Sequence, residues 1–210
     1  MKTLTFNAYS FNELSDKAKE TAREWFRDGL DVDLEFTTDD ATTQFGLCGF
    51  DITNIYYTGF WSQGDGACFK GTWRARDVRA AELKANCPVD AELHRIADEC
   101  ARIAALFPHA YLKVEHRGHY YHEHCTDFTV SIADENGDEI DTAEASKSEA
   151  ALIEVSKDAM RWIYQQLEKE YDYRNSDEQV DDGIRANEYL FNETGRRTVA
   201  LNDYPQTKSP

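Results

Sequence analysis

Four histidines in the middle of the chain are the side chains best suited to chemistry. His116, His119, His122 and His124 lie within nine residues, next to Glu115, Glu123 and Cys125. If this segment is one strand, His122 and His124 lie on one face about 7 Å apart, and a turn at Gly118 brings His116 opposite them. Imidazoles in that arrangement can bind Zn²⁺ or another transition metal, or act as a catalytic base. We favour a third interpretation, a strand with cross-strand His and Tyr pairs, because no established ligand spacing is present. No cofactor is expected.

A glycine-rich turn is the most distinctive stretch of the sequence. It consists of Gln63, Gly64, Asp65 and Gly66. Glycines accept positive φ, so the amides could form an anion-binding nest, while Asp65 could bind a cation or a partner's arginine. The stretch is too short for a P-loop, and it lacks the alternate acids of an EF-hand. Cys68 could be a nucleophile with a downstream histidine as its base. We favour a hairpin turn that demands glycine at its tip.

Charge is distributed unevenly along the chain. Forty acidic and 23 basic residues give a net charge of −17. The candidate partner-binding acids fall in two stretches: Asp31, Asp33, Glu35, Asp39 and Asp40, and then Asp177, Glu178, Asp181 and Asp182. Carboxylates on one helix face lie about 5–6 Å apart, which is close to phosphate spacing, so such a face can dock where nucleic acid docks. The alternative is a surface that only confers solubility.

A basic segment interrupts this acidic chain. It contains Lys70, Arg74, Arg76, Arg79 and Lys84 around Trp73. Arginine beside an aromatic ring can contact nucleic acid, but the overall charge opposes that contact. We therefore expect internal ion pairs here, and no direct binding to nucleic acid or to an anionic membrane.

The five cysteines, the first residues and the length of the apolar runs indicate the compartment. An odd number of widely spaced cysteines without CxxC favours a reducing cytosol over a disulfide framework. The first residues show no signal-peptide pattern, and no apolar run reaches 18 residues. The sequence therefore predicts a cytoplasmic protein.

The periodicity predicts an α+β fold, with an antiparallel sheet or meander and helices packed on one face. Capping boxes at Ser10–Glu13, Ser146–Glu149 and Ser176–Gln179 mark helix starts. A weaker helix or loop is expected near 30–47 and a helix near 89–106. Strands are expected near 1–9, 50–61 and 67–76, and a meander over 110–142 with a turn at Asn136-Gly137. We expect residues 1–200 to form a single domain and residues 201–210 a polar tail.

Two stretches carry a resemblance to a known group of proteins. The segment from Tyr9 to Arg23 and the segment from Ser62 to Phe69 resemble uncharacterised phage and prophage proteins that are loosely labelled as antitoxins of a toxin–antitoxin stability system. The resemblance implies a phage or mobile-element context. Small acidic phage proteins in that setting often inhibit host defences, as anti-CRISPR proteins do.

These observations predict a non-enzymatic binding protein. Its acidic faces would occupy a basic surface on a host protein or ribonucleoprotein complex, as a nucleic-acid mimic of the anti-CRISPR kind. The alternatives are an antitoxin that neutralises a cognate toxin, and a metal protein or enzyme centred on residues 116–125. The oligomeric state is left open.

Overall fold

The computed structural model describes residues 7–198. These divide into two compact units, one formed by residues 7–33 with 170–198 and the other by residues 34–169. The predicted tail at 201–210 and most of a first strand predicted near the amino terminus lie outside the described residues. That residues 1–200 form one domain stays a prediction.

The larger unit is built on a four-stranded antiparallel sheet in the order β2-β3-β4-β5. Its strands are β2 (Phe50–Tyr57), β3 (Ala67–Arg74), β4 (Tyr111–His116) and β5 (Thr126–Ser131). Its helices are α2 (Glu35–Leu47), α3 (Ala80–Asn86), α4 (Ala91–Leu106) and the greater part of α5 (Ala143–Asn175). The α+β prediction with an antiparallel sheet is therefore confirmed.

Alternation along β3 shows which side of the sheet the helices cover. Phe69 and Trp73 are fully buried, whereas Lys70 and Arg74, which point to the other side, are half-buried. Trp73 Nε1 donates to the carbonyl of Cys48, 2.8 Å away, so the indole satisfies its polar atom inside the core. The opposite face bears charged side chains that are about half exposed or more, including Asp51, Lys113 and Asp127. The sheet therefore has one face in the core and one in solvent.

The smaller unit packs α1 (Asp16–Asp28) against α6 (Asp177–Ala186). Two short strands, β1 (Tyr9–Ser10) and β6 (Leu190–Phe191), pair antiparallel beside them. Its core is largely aromatic and aliphatic, formed by Phe11, Leu14, Ala18, Ala22, Val180, Ile184 and Phe191. Four of these are on the face of α1 or α6 that a 3.6-residue period brings together.

Helix ends show where the sequence patterns were sufficient. Ser10 and Glu13 form the predicted capping box, although it opens a short 3₁₀ turn, and α1 itself is capped by Ser15. Ser176 caps α6 as predicted, accepting from the amide of Gln179. The box at Ser146–Glu149 does not start a helix, because α5 has already begun at Ala143. The hydroxyl of Thr142 accepts the Ala145 amide there instead.

Two further expectations differ from the structure. Helix α3 was not predicted, because its seven residues are too few to show a period, and Leu83 is its only buried side chain. The meander ends earlier than predicted: residues 133 and 139 form only an isolated bridge around the turn at Gly137, which has φ +87°. Among residues 7–198, no helix combines the length and apolar composition that a membrane span requires.

Candidate functional site

The glycine-rich turn (residues 63–66) and the histidine segment (residues 115–125) are distant in sequence but lie against each other. A Cβ on Gly66 would be 2.6 Å from the Cβ of His122, and one on Gly64 would be 3.6 Å from the ring of Tyr120. The segment after β4 therefore folds over the start of β3. Sequence spacing did not show this contact, because it depends on the β3–β4 pairing.

The turn is held by its own aspartate. Asp65 Oδ2 accepts the backbone amides of Trp61 at 3.0 Å and Ser62 at 2.6 Å. Gly64 has φ +95°, whereas Gly66 does not have positive φ. The two glycines are therefore needed for different reasons, Gly64 for its backbone conformation and Gly66 for close packing. Because Asp65 occupies two amides of the turn, these amides are not available to an anion.

Aromatic side chains are exposed on both sides of this contact, before the turn and in the histidine segment. Trp61 is 73% exposed and Tyr120 is 57% exposed. Tyr164 of α5 donates its hydroxyl to the Gly59 carbonyl at 3.0 Å and packs against Phe60 at 5.5 Å. Large aromatic side chains on a well-anchored loop are typical of protein contact surfaces.

The histidines are distributed among aromatic and backbone partners. His116 lies in a ring cluster, 5.1 Å from both Tyr56 and Tyr121, and its Nε2 lies 3.0 Å from the Tyr120 carbonyl. The rings of His122 and His124 are 5.8 Å apart. His122 precedes a 3₁₀ turn at Glu123–Cys125 and His124 lies within it, so the two do not lie on one strand face. Histidines and tyrosines do contact each other, but β4 ends at His116, so the strand with cross-strand His and Tyr pairs that we favoured from the sequence does not form over residues 117–125.

His122 is the histidine nearest to a thiol. Its Nδ1 accepts the His124 amide at 3.2 Å, and its Nε2 lies 3.4 Å from Cys125 Sγ. Because Nδ1 uses its lone pair as an acceptor, the neutral ring carries its proton on Nε2, facing the sulfur. In this tautomer His122 donates to Cys125 and cannot remove its proton. Cys68 is fully buried, and burial raises the pKa of its thiol to about 12, which opposes its role as a nucleophile.

The histidine segment does not assemble a metal centre in the described part of the chain. No group of three or more His, Cys, Asp or Glu side chains there could hold a metal ion. In particular, His116, His122 and His124 do not converge on one point, because each faces a different partner.

We expect protein purified without added metal to carry well under one zinc, copper or nickel ion per chain. Elemental analysis of the purified chain measures this directly, with the His122→Ala/His124→Ala variant as the control. About one zinc per chain that is lost in the double variant would contradict the expectation.

The basic segment is neutralised within its own unit. Lys84 Nζ contacts Asp98 at 2.6 Å, and Arg79 contacts Glu82 at 3.3 Å. Lys70 Nζ lies 5.5 Å from the centroid of the Tyr56 ring. Ion pairing within the protein, which we expected from the sequence, accounts for most of these charges.

The second acidic stretch is largely engaged with arginines. Arg23 Nε and Nη2 donate to the two oxygens of Asp181 at 2.7 and 2.9 Å. This hydrogen bonding and the neighbouring charge hold the pKa of the Asp181 carboxyl below its usual range. Asp177 contacts Arg27 at 2.5 Å, and Asp182 contacts Arg185 at 2.9 Å. Glu178 is exposed on α6. Asp177 and Asp181 therefore connect α6 to α1 within the smaller unit, whereas Asp182 pairs within α6 itself.

The first acidic stretch leads into a different surface. Asp31 and Asp33 are exposed in the segment before α2, while Glu35, Asp39 and Asp40 are exposed on α2 itself. Asp40 accepts only the side-chain amide of Gln44, at 3.3 Å, among the hydrogen bonds seen. Helix α2 contains no lysine or arginine.

Phe36 lies at the centre of this acidic helix face and is 84% exposed. Ala41 and Phe45 are the side chains that α2 buries. Nine residues separate Phe36 from Phe45, which is two and a half turns of helix, so the two rings point about 180° apart. The sequence analysis did not identify Phe36, although its position off the Ala41–Phe45 stripe was a usable signal.

Comparison with known proteins gives one match. The model of a family described as Domain of unknown function (DUF8835) matches residues 33–177, more than half of the chain. The matched region nearly coincides with the larger unit and includes α2, the glycine-rich turn and the histidine segment. No curated protein and no solved structure matches the chain.

Proposed function

Because the chain belongs to the DUF8835 family, whose description gives no activity, we propose a function from its own surface. The protein is a non-enzymatic binding protein. Its helix α2 occupies a basic surface on a partner, where the partner would otherwise hold nucleic acid. The phage context implied by the resemblance points to a partner in a host nucleic-acid-handling defence complex.

The observation that carries this proposal is the exposed Phe36 among carboxylates. A phenylalanine that is 84% exposed leaves its ring in water, which costs free energy unless a partner covers it. Asp39 and Asp40 follow it by three and four residues, so they lie next to it on the same face. An aromatic ring with a rim of like charges is the arrangement of an interface anchor inside a polar rim.

The charges determine what kind of partner fits. With no base on α2, a partner must supply the positive charge, and a surface that binds phosphates supplies it in the required spacing. Steering by these carboxylates accelerates association and makes it sensitive to salt. Phe36 adds an apolar contact that salt does not screen, so binding should weaken with salt without disappearing.

The ion pairs of the smaller unit decide which acids are suitable for a test of binding. Asp177, Asp181 and Asp182 pair with arginines of their own unit, so reversing their charge would disturb folding as well as binding. Asp39, Asp40 and Phe36 can be tested without breaking any cation pair that is seen in the described residues.

We expect substitutions on α2 to weaken binding to a partner isolated from host lysate. Phe36→Ser and the double variant Asp39→Lys/Asp40→Lys should each weaken it at least tenfold in equilibrium titrations. The effect of the lysine variant should shrink between about 0.1 M and about 1 M salt, while that of Phe36→Ser should persist.

A matched control reverses the same number of charges elsewhere. Glu135→Lys/Asp138→Lys changes the net charge equally, on an exposed turn outside α2. If this control weakens binding as much as the α2 variant, the protein is recognised through its net charge and the proposal for α2 is wrong. Binding that none of the three variants changes would also contradict it.

A further inference from the structure

Strand β2 leaves one edge of the sheet without a partner. It is the first strand in the order β2-β3-β4-β5. Among residues 7–198, the backbone of Phe50–Tyr57 makes hydrogen bonds to β3 only. An open edge is a template for another strand.

This edge has one charge and a bulge, but it lacks the lysines, prolines and short length that most often protect an edge against pairing. Its sequence, FDITNIYY, contains β-branched and aromatic residues, one charge and neither lysine nor proline. It is eight residues long, whereas protected edges are typically short or carry charges and prolines. The strand contains one irregularity, a bulge between Ile52 and Asn54.

Hydrogen bonds next to the strand show which groups point outward. The Arg74 amide donates to the Gly49 carbonyl at 3.0 Å, and the Thr58 amide donates to the Gly66 carbonyl at 3.1 Å. Bonded and non-bonded pairs alternate in an antiparallel ladder. The backbone amides of Phe50 and Ile52, before the bulge, therefore point away from β3. The amides of Ile55 and Tyr57, after the bulge, also point away from β3.

The bulge makes this edge complementary to itself. In a regular strand, residues 52 and 55 would point their amides to opposite sides, because they are an odd number apart. The extra residue brings both to the same side. Two antiparallel copies of β2 related by a two-fold axis can then exchange bonds between Ile52 and Ile55, and between Phe50 and Tyr57.

We infer that β2 pairs with β2 of a second copy of this chain, joining two four-stranded sheets into one of eight strands. The interface is isologous, with each pair of residues occurring twice. Ile52 and Ile55 are half-buried, and Tyr57 is 37% exposed. In the pair each of these side chains gains a cross-strand apolar neighbour on the core face.

Charge does not oppose this pairing at the strand itself. Asp51, the one charged residue of β2, lies opposite Tyr56 of the second copy and not opposite the other Asp51. At long range, two chains of net charge −17 repel each other. Added salt screens that repulsion, so this self-association should strengthen with salt, unlike the binding proposed for α2.

Disulfide trapping of single-cysteine additions tests the register. In the inferred pair, Ile52 is opposite Ile55 of the second copy, while the two Ile52 residues are about 10 Å apart, beyond the reach of a disulfide. Under mild oxidation, an equal mixture of Ile52→Cys and Ile55→Cys proteins should give a covalent dimer. Neither variant alone should do so, and the wild type reports on the native thiols. Trapping that is equal in each variant alone and in the mixture would overturn the inferred register.

Sedimentation equilibrium tests the association first in the wild type and then in proline variants of the two edge strands. The mass should rise with concentration from 24.1 kDa towards twice that value, and more readily at about 1 M salt than at about 0.1 M. Tyr57→Pro removes an outward amide and should raise the dimer dissociation constant at least tenfold. Val130→Pro, which removes an outward amide on the opposite edge strand β5, should leave it unchanged. A wild type that stays at the monomer mass, or a dimer that weakens with salt, would overturn the inference.

Discussion

Replacing Gly66 with valine is expected to lower the free energy of unfolding by about 3 kcal/mol. A Cβ at this position would be 2.6 Å from the Cβ of His122 and 3.0 Å from the carbonyl oxygen of Tyr121. Neither atom is the end of a flexible side chain, so the histidine segment would have to move away from the start of β3. Urea unfolding followed by tryptophan fluorescence measures the change.

Gly64 is the matched control for this prediction. A Cβ there would lie 3.6 Å from the Tyr120 ring, which is an ordinary contact. The loss of stability would therefore come mainly from the backbone conformation, φ +95°, which side chains rarely adopt. Gly64→Ala should therefore cost about 1 kcal/mol, and Asp65→Ala a similar amount, since two exposed amides lose their acceptor. If Gly66→Val has the same free energy of unfolding as the wild type, the turn does not pack against residues 121–122 as described.

The pair between Arg23 and Asp181 should have the second large effect. The two side chains are 18% and 13% exposed, and they share two short hydrogen bonds. Asp181→Asn leaves Arg23 partly buried with only the more exposed carboxylates of Glu20 and Asp177 beside it, which should cost about 2 kcal/mol near neutral pH. Asp182→Asn is the control, because Asp182 is 64% exposed and contacts only Arg185, and it should cost less than about 0.5 kcal/mol.

The pH dependence of this pair has a definite sign. The folded state lowers the pKa of Asp181, so folding is favoured by the ionised carboxylate. Its stabilisation is fully present above the unfolded pKa of about 3.9 and is lost as pH falls through the lower folded pKa. The difference between wild type and Asp181→Asn in urea unfolding should therefore be constant above about pH 5 and shrink in acid. Equal effects of Asp181→Asn and Asp182→Asn would show that the pair contributes no more than a surface contact.

These results would separate two uses of acidic residues that look alike in the sequence. Asp181 and Asp39 both belong to acidic stretches with few bases nearby. Asp181 meets an arginine 158 positions away in the chain, and local spacing cannot show such a contact. Asp39 lies on a helix without any base, and in our proposal its charge is offered to a partner.

Local patterns were sufficient for features that depend on neighbouring residues. The caps at Ser10 and Ser176, the turn at Gly137 and the α+β class follow from spacing and backbone preference, because the interacting groups lie within four residues of each other. Helix α3 was not predicted, because seven residues with one buried leucine are too few to show a helical period.

The sequence by itself determined the acidic charge, the α+β class and the demand for glycine in the turn, since these are set by composition and by contacts along the chain. Only the tertiary structure decided that the turn and the histidine segment meet, that Phe36 is exposed among carboxylates, and that the acids of α6 are paired. It also decided that β2 has a free edge. Each of these depends on strand order and helix packing, which bring together residues whose distance in the chain carries no information about their distance in space.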